Sequence, residues 1–170
     1  FMFNKRIKSS NNFVFMSSNY INLYNNLINL TTNKNLYSGL EGQDTFSDRL
    51  IMFLFHFAFF LKVYRDEKTK VILQEIYDFN FKQLELSIRE IGYGDQSINK
   101  KMKDYLNLFH SIISEVHFWN TLSEEDKKKK ISIFLQNFKE IEYLVEYFDR
   151  FAQNLSKKTL NSYLKSVSNQ

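Results

Sequence analysis

The sequence predicts an all-α fold, a single-domain orthogonal or bundle-like array of about five to six helices. Proline is absent and glycine occurs 4 times in 170 residues, so the chain lacks most of the turn chemistry that an all-β protein needs. Apolar residues recur at helical spacing along most of the chain. Hydrophobic residues make up 44% of the chain and aromatic residues 17%, which is enough to fill a core and argues against intrinsic disorder.

Charge and cysteine content limit the function only loosely. Cysteine is absent, which excludes disulfides and thiolate metal sites. The net charge of +4 gives a mild positive field, which slightly favours nucleic acid, anionic lipid or acidic protein as a partner.

The beginning of the chain is basic and contains no acidic residue as far as Leu40. Residues 1–17 are predicted to be a disordered N-terminal segment, with a composition compatible with a mitochondrial transit peptide or with a bacterial cytosolic start. A first helix over 18–32 is predicted from apolar residues at helical spacing, which are Tyr20, Leu23, Tyr24, Leu27 and Leu30. Residues 36–42 are predicted to form a loop.

A capping box marks the start of the second helix. Thr45 and Asp48 have the spacing at which two residues cap each other's backbone N–H groups, just before an apolar run. The helix predicted over 50–64 is apolar almost all round but well short of the ~20 residues that span a bilayer. It is therefore either a buried central helix or an apolar surface awaiting a partner. Arg49 and His56 share one face, either as a polar recognition spot or as a buried, hydrogen-bonded pair.

A double-glycine turn joins the third and fourth helices. The third helix is predicted over 69–91, and Gly92 follows it, where glycine takes the left-handed conformation without a Cβ penalty. Gly94 continues the turn, and Asp95 or Ser97 is predicted to cap the fourth helix. Three lysines fall near the start of that helix, where positive charge opposes the helix dipole, and these are Lys100, Lys101 and Lys103. They are either solvated and tolerated or a place where an anionic partner docks.

One long final helix is predicted over 123–155, capped by Ser123. Residues 157–170 are predicted to be a weakly structured C-terminal tail, either a weak last helix or a frayed end. The helical domain is therefore assigned to residues 18–156.

No catalytic constellation is present in the sequence. It contains no nucleophile elbow, no cysteine nucleophile and no glycine-rich phosphate loop. His110 and His117 share a helix face, but no third ligand stands at metal spacing. We therefore expect a protein that is not an enzyme and that holds no metal and no cofactor.

The glycine turn and the lysines behind it follow a longer pattern. Residues 88–95 read I-R-E-I-G-Y-G-D, and K-K-M-K follows at 100–103. This pattern resembles L-R-E-M-G-V-G-D, a short gap and G-K-K-V-K, the signature of the ubiquinol–cytochrome c chaperone family. Upstream residues match the family pattern in order and spacing, and these are Tyr37, Asp44, Thr45, Arg49 and His56. The resemblance covers residues 23–114, with departures at Gln43, Asp48, Leu50, Glu85 and Asn99.

The resemblance implies an all-helical, non-catalytic assembly chaperone for respiratory complex III, ubiquinol–cytochrome c reductase. The implied client is newly made cytochrome b. Further implied partners are a second assembly factor, the ribosome and, through a peripheral contact, the membrane. The resemblance does not imply DNA binding. The implied location is the inner face of the membrane, which is the bacterial cytoplasm at the inner membrane or the mitochondrial matrix side.

The motif positions that the resemblance marks for partner binding are Tyr37, Asp44, Arg49, His56, Arg89, Glu90, Gly92, Gly94, Asp95, Lys100, Lys101 and Lys103. An alternative stays open on charge grounds. A basic helical protein of this kind also fits an RNA- or ribosome-associated protein without a dedicated client.

Overall fold

The computed structural model describes residues 10–42 and 44–169, with side chains from Asn19 onward. In these residues the fold is all-α, as predicted, with slightly more helices than expected. The helices are α1 (Ser10–Thr31), α2 (Phe46–Tyr64), α3 (Lys70–Glu90), α4 (Asp95–Val116), α5 (Glu124–Phe134), α6 (Ile141–Ser156) and α7 (Leu160–Ser168), with short 3-10 segments at Lys34–Tyr37 and Trp119–Thr121.

Helix α2 is the centre of the core. It packs against α1, α4 and α6. Its phenylalanines Phe53, Phe55, Phe57, Phe59 and Phe60 are almost completely buried. The prediction of a buried central helix is confirmed, because a helix that is apolar all round needs neighbours on every side. None of the helices in the described part of the chain is long and apolar enough to cross a membrane.

The predicted capping box fixes where α2 begins. The Asp48 N–H donates to the Thr45 hydroxyl oxygen at 3.2 Å, and the Thr45 N–H donates to the Asp48 carboxylate at 2.8 Å. Two backbone donors that have no partner inside the helix are therefore satisfied by side chains.

Helices α3 and α4 form an antiparallel hairpin beside α2. The rings of Tyr77 and Phe81 on α3 lie 6.0 and 5.2 Å from the ring of Phe109 on α4, measured between centroids. Phe109 in turn stacks on Phe57 of α2 at 5.1 Å. Aromatic packing thus fixes the hairpin against the core, while the residues of its turn are exposed.

The prediction of one long helix over 123–155 is wrong, because the structure has two helices, α5 and α6, separated by residues 135–140. Within the break, the Lys139 N–H donates to the carbonyl oxygen of Gly39 at 2.8 Å. The two backbones approach so closely that a Cβ on Gly39 would lie 2.6 Å from the nitrogen of Glu140. The chain leaves the helix here because its backbone pairs with a distant segment.

Within the tail predicted over 157–170, residues 160–168 form helix α7, which is the first of the two predicted alternatives, a last helix. Helix α7 packs against α1. It buries Leu160, Leu164 and Val167 there, and the Tyr163 hydroxyl donates to Asn26 Oδ1 at 2.7 Å. The apolar side chains of α7 are buried by α1, which is far away in sequence. The local sequence of residues 157–170 therefore gives only a weak signal for a helix.

Helix α1 begins at Ser10, inside the segment that the sequence predicts to be disordered over 1–17. Residues 1–9 lie outside the described residues, as does Gln43, one of the departures from the family pattern. The targeting-peptide interpretation and the domain boundaries therefore stay predictions.

Candidate functional site

The turn between α3 and α4 has one left-handed glycine. Gly92 has φ +101°, and its N–H donates to the carbonyl oxygen of Arg89 at 3.0 Å, which confirms the predicted helix end. Gly94 has φ −73° and ψ 160°, an extended conformation, and is itself the N-cap of α4. The prediction that Asp95 or Ser97 caps this helix is therefore wrong.

The carboxylate of Asp95 instead accepts a hydrogen bond from Arg89. The guanidinium Nη1 donates to Asp95 Oδ1 at 2.6 Å, and Nη2 donates to Glu85 Oε1 at 3.0 Å. The hydrogen bond from Arg89 lowers the pKa of the Glu85 carboxyl below its ordinary value. Arg89 thus ties the two helices together across the turn, at a solvent-exposed position where such pairs stabilise weakly.

The lysines behind the turn remain exposed or half-exposed. The Lys101 ammonium lies 4.5 Å from the centroid of the Tyr93 ring. Lys100 and Lys103 make no ion pair with any residue that the structure describes. Beside them, Ile91 is 55% exposed and Tyr93 is 44% exposed.

These side chains form one continuous exposed region, which we call the turn surface. It consists of Arg89, Glu90, Ile91, Tyr93, Asp95, Lys100, Lys101 and Lys103, around the two glycines. A cationic rim around exposed apolar and aromatic groups is typical of a docking surface.

Three upstream motif residues lie together at a second place. The Tyr37 hydroxyl donates to the carbonyl oxygen of Thr31 at 2.7 Å, and burial raises its pKa to about 12. The Arg49 guanidinium pairs with Asp44, and that hydrogen bond lowers the pKa of the Asp44 carboxyl. Charges on Arg49 and Asp44 also act on Tyr37, so the three residues form one local cluster.

His56 lies inside the core. Its Nδ1–H donates to the carbonyl oxygen of Met52 at 2.7 Å, and its Nε2 accepts from the Tyr147 hydroxyl at 2.6 Å. Burial lowers its pKa to about 4, so the imidazole is neutral. The Arg49 side chain is 61% exposed and pairs elsewhere, so neither a shared recognition spot nor a buried Arg49–His56 pair exists.

A groove that the sequence did not predict lies at the other end of the α3–α4 hairpin. It has a volume of about 920 Å³ and runs between the C-terminal half of α2, the start of α3 and the end of α4. Its apolar wall consists of Ala58, Leu61, Leu73, Ile113 and Val116, of which Leu61 and Ile113 are half-buried and the other three are buried. We call it the hairpin groove. His110 and His117, which the sequence places on one helix face, both line it.

Two comparisons with known proteins found a match to this chain. The family model described as ubiquinol–cytochrome C chaperone matches residues 39–117, which include α2, α3, α4 and the turn surface. No curated protein sequence matches the chain. The chain is similar to the crystal structure of the Cbp3 homolog from Brucella abortus, with a TM-score of 0.70 and 20% sequence identity over 86% of this chain and 84% of that chain.

At that identity the structural likeness shows a shared fold, and the family assignment comes from the sequence match. The matched segment includes every motif position that the sequence had marked except Tyr37. Residues 39–117, just under half of the chain, match the ubiquinol–cytochrome C chaperone model, which confirms the resemblance seen in the sequence.

Proposed function

We propose that the protein assists the assembly of respiratory complex III by binding newly made cytochrome b before that subunit is complete. The observation that carries this proposal is the family match over residues 39–117. A chaperone role for ubiquinol–cytochrome c reductase follows from the family, and the choice of cytochrome b as client is our inference. The protein then acts by binding alone, without catalysis.

The turn surface is the part of this segment that best suits a partner. Ile91 and Tyr93 offer apolar contact area, and Lys100 and Lys103 offer cations that no described residue neutralises. Aromatic residues surrounded by charges are enriched where proteins bind other proteins. Tyr37, Asp44, Arg49 and His56 are better explained as residues that hold the loop before α2 and the core in place.

The same cations suit a position close to anionic surfaces. Lysines near a membrane gain about 1 kcal/mol each from anionic lipid. We therefore propose that the protein works at the inner face of the membrane, in the bacterial cytoplasm or on the matrix side. A second assembly factor and the ribosome are proposed neighbours.

A gene deletion tests the proposed function. The expected result is a loss of ubiquinol–cytochrome c reductase activity, with normal activity of the other respiratory complexes and restoration by the intact gene. Isolation of translating ribosomes through the tagged protein should recover nascent cytochrome b. Normal complex III in the deletion strain would refute the proposal.

A second candidate function is RNA or ribosome binding without a dedicated client, which is favoured by the unpaired Lys100 and Lys103. It predicts RNA affinity that falls steeply with salt and disappears when Lys100, Lys101 and Lys103 are changed to Glu. The two candidates separate cleanly, because only the first predicts a specific defect in complex III.

A further inference from the structure

The hairpin groove combines an apolar wall with a basic rim. Three cationic side chains lie around the wall, and these are Lys62, Arg65 and Lys70. The acidic side chains in the lining are Asp66 and Glu67, both in the connection between α2 and α3. Cations therefore outnumber carboxylates in the lining by three to two, with Lys62 on α2, Arg65 just after it and Lys70 at the start of α3.

The cations in the lining have no acidic partner among the described residues. None of Lys62, Arg65 and Lys70 forms an ion pair with any described residue. The Lys62 ammonium has only a neutral acceptor, the carbonyl oxygen of His117 at 3.1 Å, and partial burial lowers its pKa. A half-buried cation without a counter-charge is a position that a carboxylate from another molecule would stabilise.

An exposed aromatic side chain extends the apolar surface beyond the groove. Phe118 is 65% exposed, and its ring lies edge-on to the imidazole of His117, with the centroids 4.5 Å apart. His117 lines the groove, so the exposed ring of Phe118 is in contact with a lining residue. Large exposed aromatic residues beside a concave apolar surface are the usual anchors of protein–protein contacts.

We propose that the hairpin groove binds a peptide segment that is apolar on one side and carries carboxylates, with Phe118 as the anchor and Arg65 and Lys70 as the partners of the carboxylates. The open shape and the exposed aromatic side chain in contact with the lining favour a polypeptide over an enclosed small molecule. This inference rests on the proposed function, because it specifies the chemistry of the client segment. It also gives the protein a second contact point, roughly 25 Å along α3 from the turn surface at 1.5 Å per residue.

Two labelled synthetic peptides test the proposal in fluorescence anisotropy with the full chain. One forms an amphipathic helix of Leu, Ala and Glu, and the other has Lys in place of every Glu. We expect the Glu peptide to bind about tenfold or more tightly than the Lys peptide, with a preference that weakens at high salt. The double substitution Arg65→Glu with Lys70→Glu should reverse that preference.

Matched variants separate the groove from general surface effects. Phe118→Ala should weaken binding of the Glu peptide by about tenfold. Phe46→Ala, at a phenylalanine that is 46% exposed on α2, should leave binding unchanged. Lys157→Glu with Lys158→Glu should also leave it unchanged, since these exposed lysines belong to neither the groove nor the turn surface. All of the substituted side chains are exposed, so the variants retain the core.

Equal binding of both peptides, or equal loss in the Phe46 and Phe118 variants, would overturn the proposal. The proposal would also be overturned if oleate bound saturably and displaced the Glu peptide, because the groove would then be a fatty-acid site. The proposed function fails separately. If complex III assembly needs the gene but tolerates Phe118→Ala together with the charge reversal, then the groove proposal falls and the chaperone role stands.

Discussion

The imidazole of His56 is enclosed by aromatic rings. Tyr147, Phe148 and Phe151 lie edge-on to it, with centroids 5.4, 5.1 and 5.1 Å away. Both ring nitrogens have neutral partners, a backbone carbonyl and a phenol. A proton on this ring would leave a buried cation without a counter-charge, so the residue is a structural part of the core that is sensitive to acid.

Acidification should therefore destabilise the fold through His56. The pKa is about 4 in the folded chain against an ordinary value of 6.5, so between these values the unfolded state binds more protons. Stability is then retained above about pH 6.5 and is lost as the pH falls toward 4. We expect a loss of about 2 kcal/mol between pH 7 and pH 5.

Denaturant unfolding at the two pH values measures this effect. His56→Gln lacks the titrating group and should show a smaller pH dependence, whereas His117→Gln, at an exposed histidine, should behave like the wild type. If wild type and His56→Gln lost the same stability on acidification, the buried imidazole would not be the titrating group.

The two glycines of the turn differ in backbone conformation, so they should respond differently to substitution. Gly92→Ala should lower the free energy of unfolding by about 1–2 kcal/mol, because φ +101° strains any side chain. Gly94→Ala should change it by less than about 0.5 kcal/mol, because φ −73° suits alanine and the lower entropy of the unfolded chain offsets alanine's poorer N-capping. A Cβ meets nothing within 4 Å at either position, so thermal melts of the pair compare backbone conformation alone. Equal melting temperatures would contradict the assigned turn.

At the scale of elements, helices α2, α3 and α4 could be predicted from sequence because their signals are local. The capping box at Thr45, the apolar stripes and Gly92 all act within a few residues. The break between α5 and α6 could not be predicted, because the helical spacing of apolar residues continues through Leu135 and Phe138. The break arises from backbone pairing with Gly39, which is far upstream in the sequence. The hairpin groove also escaped prediction, since it exists only where three helices meet.

Helix α7 buries Leu164 and leaves Lys165 exposed. Leu164→Ala should cost about 2–4 kcal/mol, because Leu164 is 5% exposed against α1 and its loss leaves a cavity. Lys165→Ala, next to it on the exposed side, should change stability by less than about 0.5 kcal/mol. Chemical denaturation compares the two, and a similar small effect from both would mean that the helix is only loosely attached.

For the whole molecule, the α3–α4 hairpin, which packs against α2, carries a proposed contact at each end. The turn surface lies at the glycines, and the hairpin groove lies beside the start of α3. Substitutions more than about 10 Å apart usually have additive effects on free energy. The two contacts, roughly 25 Å apart, should therefore act independently.

Client capture should show this independence. Phe118→Ala and the charge reversal of Lys100 with Lys103 are each expected to weaken recovery of nascent cytochrome b on translating ribosomes. The triple variant should multiply the two fold-changes, within about a factor of two. A triple variant no weaker than the worse parent would mean that both substitutions affect one shared contact.

The pairing of α1 with α7 has a consequence for how the protein matures. The hydrogen bond between Tyr163 and Asn26 joins residues 137 positions apart, and the apolar side of α7 closes over α1. Contacts of such long range form late, since the intervening loop must close first. Cotranslational folding of this chain therefore leaves the side of α1 that meets α7 exposed until α7 has emerged, although α2 and α3 can already cover the rest. A protein proposed to shield unfinished polypeptides thus carries an exposed apolar surface during its own synthesis.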